Sequence, residues 1–181
     1  TLYRLVDDRL RFEIVRNDSL SIAMGGTSGQ EVPFYPIPLH DKDGNPNRTM
    51  VAAYAALNDR TVNIADAYSE EGFDFSGTRN FDKRTGYRST SFLTVPMKNH
   101  EGEIIGVLQL LNAIDPASRG VVPFSEEDGR LAESLASQAA IALTNRLLIQ
   151  QLEVLFESLI ELINTAIDDK SPYTGGHCKR V

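Results

Sequence analysis

The longest regular pattern in the sequence is SEEDGRLAESLASQAAIALTNRLLIQQLEVLFESLIELINTAID, at residues 125–168, which contains no proline. We predict one continuous helix here, because proline is the residue that most strongly interrupts a helix. At 1.5 Å per residue such a helix spans roughly 66 Å, whereas a domain of this size has a radius of gyration of about 15 Å. The helix is therefore expected to leave its own domain and pack on something else. The alternative is two helices with a break at Asn145 and Arg146.

The two ends of this segment carry different signals. Ser125 and Asp128 fit a capping box with a short carboxylate. Towards the other end, apolar residues recur at alternating spacings of three and four, which is a heptad seam. The seam residues are Ile149, Leu152, Phe156, Leu159 and Ile163. We favour a parallel homodimer through residues 125–168, since an exposed apolar seam otherwise promotes aggregation, and packing of the seam on a further domain is the alternative.

Composition places the chain among globular proteins. Of its 181 residues, 41% are hydrophobic and 24% are charged, which suits one buried domain plus an extension. The net charge of −7 argues against nucleic-acid binding, which depends on clustered lysine and arginine. No apolar run reaches the length of a transmembrane helix and no signal peptide is present. We therefore expect no membrane span within this segment and a cytoplasmic location.

The single cysteine, Cys178, excludes an intrachain disulfide framework and is compatible with a reducing compartment. The chain begins at Thr1 rather than at a methionine and ends abruptly at Val181. Both ends read as boundaries within a longer protein, so the sequence leaves open a membrane segment upstream.

Alternating apolar and polar residues predict an antiparallel sheet. The pattern gives about five strands, at residues 2–6, 10–15, 19–23, 91–97 and 103–111. Short helical segments are predicted at residues 50–57 and 81–86, and the second should end at Gly86. The fold class is therefore α+β, an antiparallel sheet with helices on one face and a long terminal helix.

Two polar segments resemble ligand loops without meeting their requirements. The glycine-rich residues 25–29 lack the Lys-Ser/Thr ending of a phosphate-binding loop. Residues 41–46 resemble half of a calcium loop, but Gly44 comes too early and no glutamate follows at the twelfth position. We interpret residues 25–29 as a flexible polar segment without a phosphate-binding role, and residues 41–46 as a turn.

Four motifs follow one another along the first part of the chain: NIADAY (residues 63–68), FDKRTGYR (residues 81–88), SFLTVPM (residues 91–97) and GVLQLLN (residues 106–112). In this order they resemble a GAF domain of the kind found in cyclic nucleotide phosphodiesterases and bacterial sensors. The resemblance covers residues 1–147. It implies a GAF-like antiparallel sheet flanked by helices, a small-molecule pocket between the sheet and the inserted helices, and a C-terminal signalling helix.

The family signature is Asn-Lys followed, after a gap, by Phe-x-x-x-Asp-Glu. Asn112, Phe124 and Asp128 match it, whereas Ala113 stands in place of the lysine and Gly129 in place of the glutamate. In the family the Lys–Asp pair is a structural salt bridge near the pocket. Its loss weakens the inference to a cyclic nucleotide in particular, but it does not affect the fold.

The resemblance gives a set of pocket candidates, which are Asp66, Tyr68, Arg79, Phe81, Lys83, Arg84, Tyr87, Arg88 and Ser91. The basic residues would pair with a phosphate or carboxylate, Asp66 would accept hydrogen bonds from a base, and the tyrosines would stack on a planar ligand. The alternatives are that Asp66 caps a turn, that the basic residues form a solvated face, and that Phe73 and Phe75 belong to the core.

The last part of the chain, IELINTAIDDKSPYTGGHCKRV at residues 160–181, looks like the opening of an HD-GYP domain, a metal-dependent phosphodiesterase of cyclic di-GMP. We assign residues 151–181 to its truncated start. The resemblance makes His177 a metal ligand in the full-length protein, with iron or manganese as the expected metal. The other ligands would lie beyond Val181, and a catalytic zinc site already uses about three protein ligands. We therefore expect this chain to be non-catalytic and to carry no cofactor.

Two functions follow from these patterns. The first is a bacterial regulatory module, in which a small molecule such as a cyclic nucleotide binds the GAF pocket and controls a downstream HD-GYP phosphodiesterase. The second is a dimerisation module without a physiological ligand, in which side chains such as Phe73 and Phe75 fill the pocket.

Overall fold

The computed structural model describes residues 1–170, apart from the side chains of residues 168–170. The chain divides into two units, Thr1–Ile141 and Ala142–Val181. His177 lies outside the described residues, so its predicted metal-ligand role stays a prediction.

Seven strands form one antiparallel sheet in the first unit. They are β1 (Leu2–Val6), β2 (Arg9–Asn17), β3 (Ile22–Gly25), β4 (Ile37–Pro38), β5 (Val62–Ile64), β6 (Phe92–Lys98) and β7 (Ile104–Leu111). The order across the sheet is β3-β2-β1-β7-β6-β5, and β4 pairs with β2. The N-terminal hairpin β1–β2 therefore joins the hairpin β6–β7 through a β1–β7 pairing.

The β1–β7 pairing depends on a glycine. A Cβ atom at Gly106 would lie 2.2 Å from the carbonyl oxygen of Tyr3, far inside van der Waals contact. Glycine inside a strand often marks such a close backbone approach. A larger residue at position 106 would force the two hairpins apart.

Helix α1 (Val51–Asn58) packs on β6 and β7 and carries part of the hydrophobic core. The core cluster is Tyr3, Leu10, Ile37, Leu39, Ala52, Ala53, Ala56 and Val107. Helix α2 (Ser76–Thr85) follows in the segment between β5 and β6 and ends at Gly86, which adopts the left-handed conformation with φ of 71°. The small alanine side chains let α1 pack closely on β6 and β7.

The opposite side of β6 is buried as well. Leu93, Val95 and Met97, which alternate with Phe92 and Thr94, are almost fully inaccessible. A short ribbon of β8 (Ala113–Ile114) and β9 (Val121–Val122) leads into α3 (Glu126–Lys170). Early in α3, a buried stripe recurs every four residues, at Ala132, Ala136 and Ala140. The first turns of α3 lie beside β5, since Glu133 accepts a 2.7 Å hydrogen bond from Thr61 Oγ1.

The long helix and its capping box are confirmed. Ser125 N–H donates to Asp128 Oδ2 (2.8 Å), and Asp128 N–H donates back to Ser125 Oγ (3.1 Å). The helix is continuous through Asn145 and Arg146, so the alternative of two helices is wrong. In the second unit, the five predicted seam residues are 48–64% exposed.

The α+β fold with an antiparallel sheet and a long C-terminal helix is confirmed, with corrections of detail. The sheet has seven strands rather than about five, because two- and three-residue strands such as β4 and β5 are too short to show a period. The strand predicted at residues 19–23 begins later, after a 3₁₀ turn at Asp18–Leu20 capped by Asn17. The helix predicted at residues 81–86 starts earlier, as α2, because its first turn is polar and shows no apolar period.

Internal hydrogen bonds hold both the glycine-rich segment at residues 25–29 and the predicted turn at residues 41–46. In the first, backbone N–H groups bond within the protein: Gly25 N–H to Gln30 O (2.8 Å) and Gly26 N–H to Glu13 O (3.2 Å). In the second, Asp41 Oδ1 accepts from the N–H groups of Asp43 and Asn45, both at 2.9 Å. These hydrogen bonds explain the local sequences without a ligand.

Candidate functional site

A cavity of about 370 Å³ opens between the sheet and α2 in the first unit. The strands supply its floor, with Tyr3, Phe12, Phe92, Gln109 and Leu111. Helix α2 supplies one wall, with Gly77, Thr78, Phe81 and Arg84. The volume falls within the usual range for small-molecule sites.

Aromatic rings form much of the cavity lining. The Phe12 ring lies 4.7 Å from that of Tyr3 and 5.2 Å from that of Phe34, and Phe75 lies 5.3 Å from Phe92. Such clusters offer flat apolar surfaces on which a planar ligand can stack. Phe75 is at once a core residue, 4% exposed, and part of the cavity lining.

The cavity floor contains a buried polar chain. Tyr3 Oη donates to Gln109 Oε1 (3.1 Å), and Gln109 Nε2 donates to Thr94 Oγ1 (3.1 Å). Burial raises the pKa of the Tyr3 hydroxyl, so it stays protonated. The floor therefore presents neutral, already oriented hydrogen-bonding groups to whatever occupies the cavity.

Three charged residues line the cavity: Arg16 on β2, Asp74 before α2 and Arg84 on α2. Hydrogen bonds from Ser76, with its backbone N–H at 2.8 Å, lower the pKa of the Asp74 carboxyl. Among the residues that the structure describes, neither Arg16 nor Arg84 takes part in an ion pair. The guanidinium groups of Arg16 and Arg84 are therefore available to bind an anion in the cavity.

The structure divides the predicted pocket residues into two groups. Phe81, Arg84 and Tyr87 line the cavity, as the resemblance implied. The other six, which are Asp66, Tyr68, Arg79, Lys83, Arg88 and Ser91, do not line it. No measurement here tests contact with a ligand, so for all nine residues that role stays a prediction.

Three of the six residues outside the lining form one cluster. The guanidinium carbon of Arg88 lies 4.0 Å from the centre of the Tyr68 ring, and that of Arg79 lies 5.5 Å from it. Tyr68 Oη donates to Asp82 Oδ2 (2.8 Å). This bond raises the pKa of Tyr68 above its ordinary value. The basic residues here contact protein groups instead of forming only a solvated face.

The remaining three have local roles. Asp66 Oδ1 accepts from Tyr68 N–H (2.9 Å), which is the turn-capping alternative for this residue. Ser91 Oγ donates to Val122 O (2.8 Å) and accepts from Ala113 N–H (3.1 Å), tying β6 to the ribbon. Lys83 is exposed in the last turn of α2, where a positive charge complements the helix dipole.

The signature asparagine positions the cavity wall. Asn112 Nδ2 donates to Tyr87 Oη (2.8 Å) and to Arg88 O (2.7 Å), while its Oδ1 accepts from Thr90 N–H (2.7 Å). Asn112 has a positive φ of 56°, which asparagine tolerates better than most residues. The side chain thus holds the segment between α2 and β6 against the end of β7.

Sequence reasoning missed several cavity residues: Tyr3, Arg16, Asp74 and Gln109. Tyr3, Arg16 and Asp74 lie in segments outside the quoted motifs, whereas Gln109 lies within the motif GVLQLLN but was not considered as a cavity residue. One signal was available, since Gln109 is a polar residue inside the otherwise apolar strand IIGVLQLL. A polar side chain at an inward position of such a strand indicates a buried hydrogen-bond network.

Comparisons with known proteins agree with this architecture. The sequence profile of the GAF domain matches residues 17–143. The chain therefore belongs to the GAF domain family. Residues 151–181 lie outside the matched range, so the HD-GYP assignment stays a prediction.

Two similar curated proteins are named as phosphodiesterases of cyclic nucleotides. A dual 3′,5′-cyclic-AMP and -GMP phosphodiesterase 11A from Takifugu rubripes is 32% identical over 124 residues, which are 67% of this chain and 13% of that protein. A dual 3′,5′-cyclic-AMP and -GMP phosphodiesterase 11 from Drosophila melanogaster is 34% identical over 108 residues, 59% of this chain and 7% of that protein. The chain thus spans only a small part of these relatives.

Among solved structures, the GAF domain of a phosphoenolpyruvate-protein phosphotransferase from Acinetobacter is similar to this chain. The identity is 18%, the TM-score is 0.46, and the match covers 77% of this chain and 65% of that one. Within the described residues, no helix is both long and apolar enough to cross a membrane. The described residues also contain no group of three or more potential metal ligands among histidine, cysteine, aspartate and glutamate.

Proposed function

We propose that this chain is a ligand-sensing regulatory module that binds a small molecule in the cavity between the sheet and α2. One observation carries the proposal. A single cavity combines aromatic walls, a hydrogen-bonded polar floor and two arginines that form no ion pair among residues 1–170. Convergent polar groups in an apolar cavity of this volume are typical of ligand sites.

The chemistry favours an anionic ligand with a flat ring, and a cyclic nucleotide is the class we propose. Phe12, Phe34 and Phe75 offer faces for a base, and Arg16 and Arg84 offer guanidinium groups for a phosphate. The relatives are named as phosphodiesterases of cyclic AMP and cyclic GMP, which supports this class. Ala113 in place of the signature lysine does not remove a cavity group, because Ala113 is not in the lining.

In the parent protein, we propose that the ligand biases α3 and so controls a downstream phosphodiesterase. The relatives support a phosphodiesterase in general. The resemblance of residues 160–181 supports the narrower proposal of a bacterial HD-GYP enzyme that hydrolyses cyclic di-GMP. The ligand can shift α3 only by its difference in affinity for two arrangements of the protein.

The second candidate function is a dimerisation module, and the exposed seam favours it. Residues Ile149 to Ile163 present five apolar side chains at heptad spacing, each about half exposed or more. A parallel homodimer would bury this seam. The two functions are compatible, since a dimer would let two ligand sites act on one pair of helices.

Native mass spectrometry with cyclic GMP and cyclic AMP, followed by calorimetric titration, tests both functions. We expect a dimer that binds one of these nucleotides. Arg84→Gln should weaken binding about tenfold or more, because a charge-assisted hydrogen bond contributes about 1.5–3 kcal/mol. Lys42→Gln is the matched control, since this exposed lysine has the same charge but does not line the cavity. A dimer that binds neither nucleotide would favour the dimerisation module, and a monomer would contradict the parallel helix pair.

A further inference from the structure

Helix α2 is attached to the domain in an unusual way. Its only buried residue is Asp82, which is 4% exposed. A surface helix ordinarily buries an apolar stripe against the core. Here the buried position is a carboxylate, so hydrogen bonds rather than an apolar stripe hold this part of the helix.

Asp82 accepts three hydrogen bonds from the segments on either side of α2. Ser89 N–H donates to Oδ2 (2.7 Å), Ser89 Oγ donates to Oδ1 (2.9 Å), and Tyr68 Oη donates to Oδ2 (2.8 Å). We call Asp82, Ser89 and Tyr68 the carboxylate latch. A buried carboxylate requires such donors, because an unpaired buried charge is very costly.

Two arginines pack on the solvent-facing side of the latch, against the Tyr68 ring. Arg88 and Arg79 lie over the Tyr68 ring, and Arg79 Nη2 also contacts Ala67 O at 3.4 Å. Cation–π contacts of this kind keep the ring in place. Water has access to this side, since Arg79 and Arg88 are exposed and Tyr68 is partly so.

Four other residues of α2 line the cavity. Gly77, Thr78, Phe81 and Arg84 line it, while Asp82 faces the latch. The same ten-residue helix therefore forms a cavity wall with one set of residues and holds itself in place with another. Any movement of α2 away from the sheet opens the cavity.

We infer that α2 is the lid of the cavity and that the carboxylate latch, centred on Asp82, sets how readily the lid opens. Opening exchanges three hydrogen bonds for hydrogen bonds to water and leaves the core cluster under α1 intact. Segments held by few apolar contacts open locally at low cost. The consequence for a bound ligand rests on the proposed function, whereas the opening itself does not.

Hydrogen exchange without ligand tests the latch directly. In Asp82→Asn, one acceptor oxygen becomes an amide that faces a donor, so exchange in residues 76–85 should rise about tenfold or more. Peptides from α1, β6 and β7 should keep their wild-type rates. Asp41→Asn is the matched control, because this remote aspartate also accepts backbone hydrogen bonds but in a different turn. Unchanged exchange in residues 76–85, or an equal rise in all peptides, would overturn the inference.

Tyr68→Phe keeps the test decisive if Asp82→Asn does not fold. It removes one donor and leaves the ring under Arg88, so faster exchange should again be confined to residues 76–85. Unchanged exchange there would count against the latch.

Cyclic GMP provides the second readout. If it binds, its dissociation should be faster from Tyr68→Phe than from wild type, whereas Lys42→Gln, at an exposed position outside the cavity lining, should not alter the dissociation rate. Equal dissociation rates would overturn the role of the latch in ligand release. Absence of cyclic GMP binding together with faster α2 exchange would contradict the proposed ligand and support the latch.

Discussion

Helices α1 and α2 are joined to the same domain by opposite kinds of contact. Five of the eight residues of α1 are buried, and all five are alanine or valine. In α2 a single residue is buried, and it is the carboxylate of Asp82. Helix α1 is thus part of the scaffold. Helix α2 is instead held in place by hydrogen bonds that Tyr68 and Ser89, in the flanking segments, donate to Asp82.

The difference separates a helix that belongs to the scaffold from a helix that forms one wall of the cavity. Apolar burial stabilises α1 without directional bonds, so α1 separates from the sheet only when the core opens. Hydrogen bonds to water can replace those of the carboxylate latch, so α2 can open alone. A ligand that contacts the sheet together with Phe81 and Arg84 on α2 would therefore stabilise the closed position of α2, which is the more weakly attached of the two helices.

The largest expected effect lies in α1. Ala53 is completely buried, so Ala53→Leu adds volume to a filled core and should lower the free energy of unfolding by about 1–3 kcal/mol. The matched variant Asn80→Leu, at an exposed position of α2, should change it by about 0.5 kcal/mol or less. Urea denaturation followed by far-UV circular dichroism suits a protein without tryptophan. Equal losses in the two variants would remove the distinction between the helices.

A smaller and local effect is expected at the latch. Ser89→Ala removes the donor to Asp82 Oδ1, which should lower the local stability of α2 by about 1 kcal/mol. Hydrogen exchange of residues 76–85 measures it. Ser118→Ala, in an exposed loop, is the control and should leave α2 unchanged. A loss that appears equally in every peptide would instead place Ser89 in the global core.

The smallest effect concerns pH and the start of α2. The pKa of Asp74 is lowered from 3.8 by its bonds from Ser76. A group with a lowered folded-state pKa stabilises the fold above its unfolded pKa, and this contribution is lost as the pH falls through the folded value. The Ser76 amide resonance should therefore titrate with a midpoint below pH 3.8, and Asp74→Asn should abolish the transition. Helix α1 has no side-chain cap at Met50, so the amide resonances of its first turn are the control and should not follow this titration. A midpoint above pH 3.8 for the Ser76 amide would contradict the prediction.

Patterns local in sequence predicted the elements well. The capping box at Ser125 and Asp128, the proline-free run of α3 and the glycine end of α2 each depend on neighbours a few residues apart. These signals involve residues within one or two helical turns of each other, so they can be recognised from the sequence alone. The shortest strands were missed, because two or three residues carry no measurable period.

The candidate site was only partly predictable. The motif at residues 81–88 led to Phe81, Arg84 and Tyr87 in the cavity lining. Arg88 of the same motif lies over the Tyr68 ring instead, outside the lining. Charge and aromatic character alone do not tell which side of α2 a residue faces. Tyr3 and Gln109 are 106 positions apart and meet only because β1 pairs with β7.

The sequence by itself determined the fold class, the long helix with its capping box, and a heptad seam, because each depends on periodicity or on residues close together in the chain. Only the tertiary structure decided which polar residues face the cavity and which hold its lid, because sheet pairing and helix orientation bring together groups that the sequence separates. Asp82 illustrates the point. It lies in the motif FDKRTGYR as an unremarkable helical aspartate, and only the positions of Tyr68 and Ser89 make it the centre of the latch.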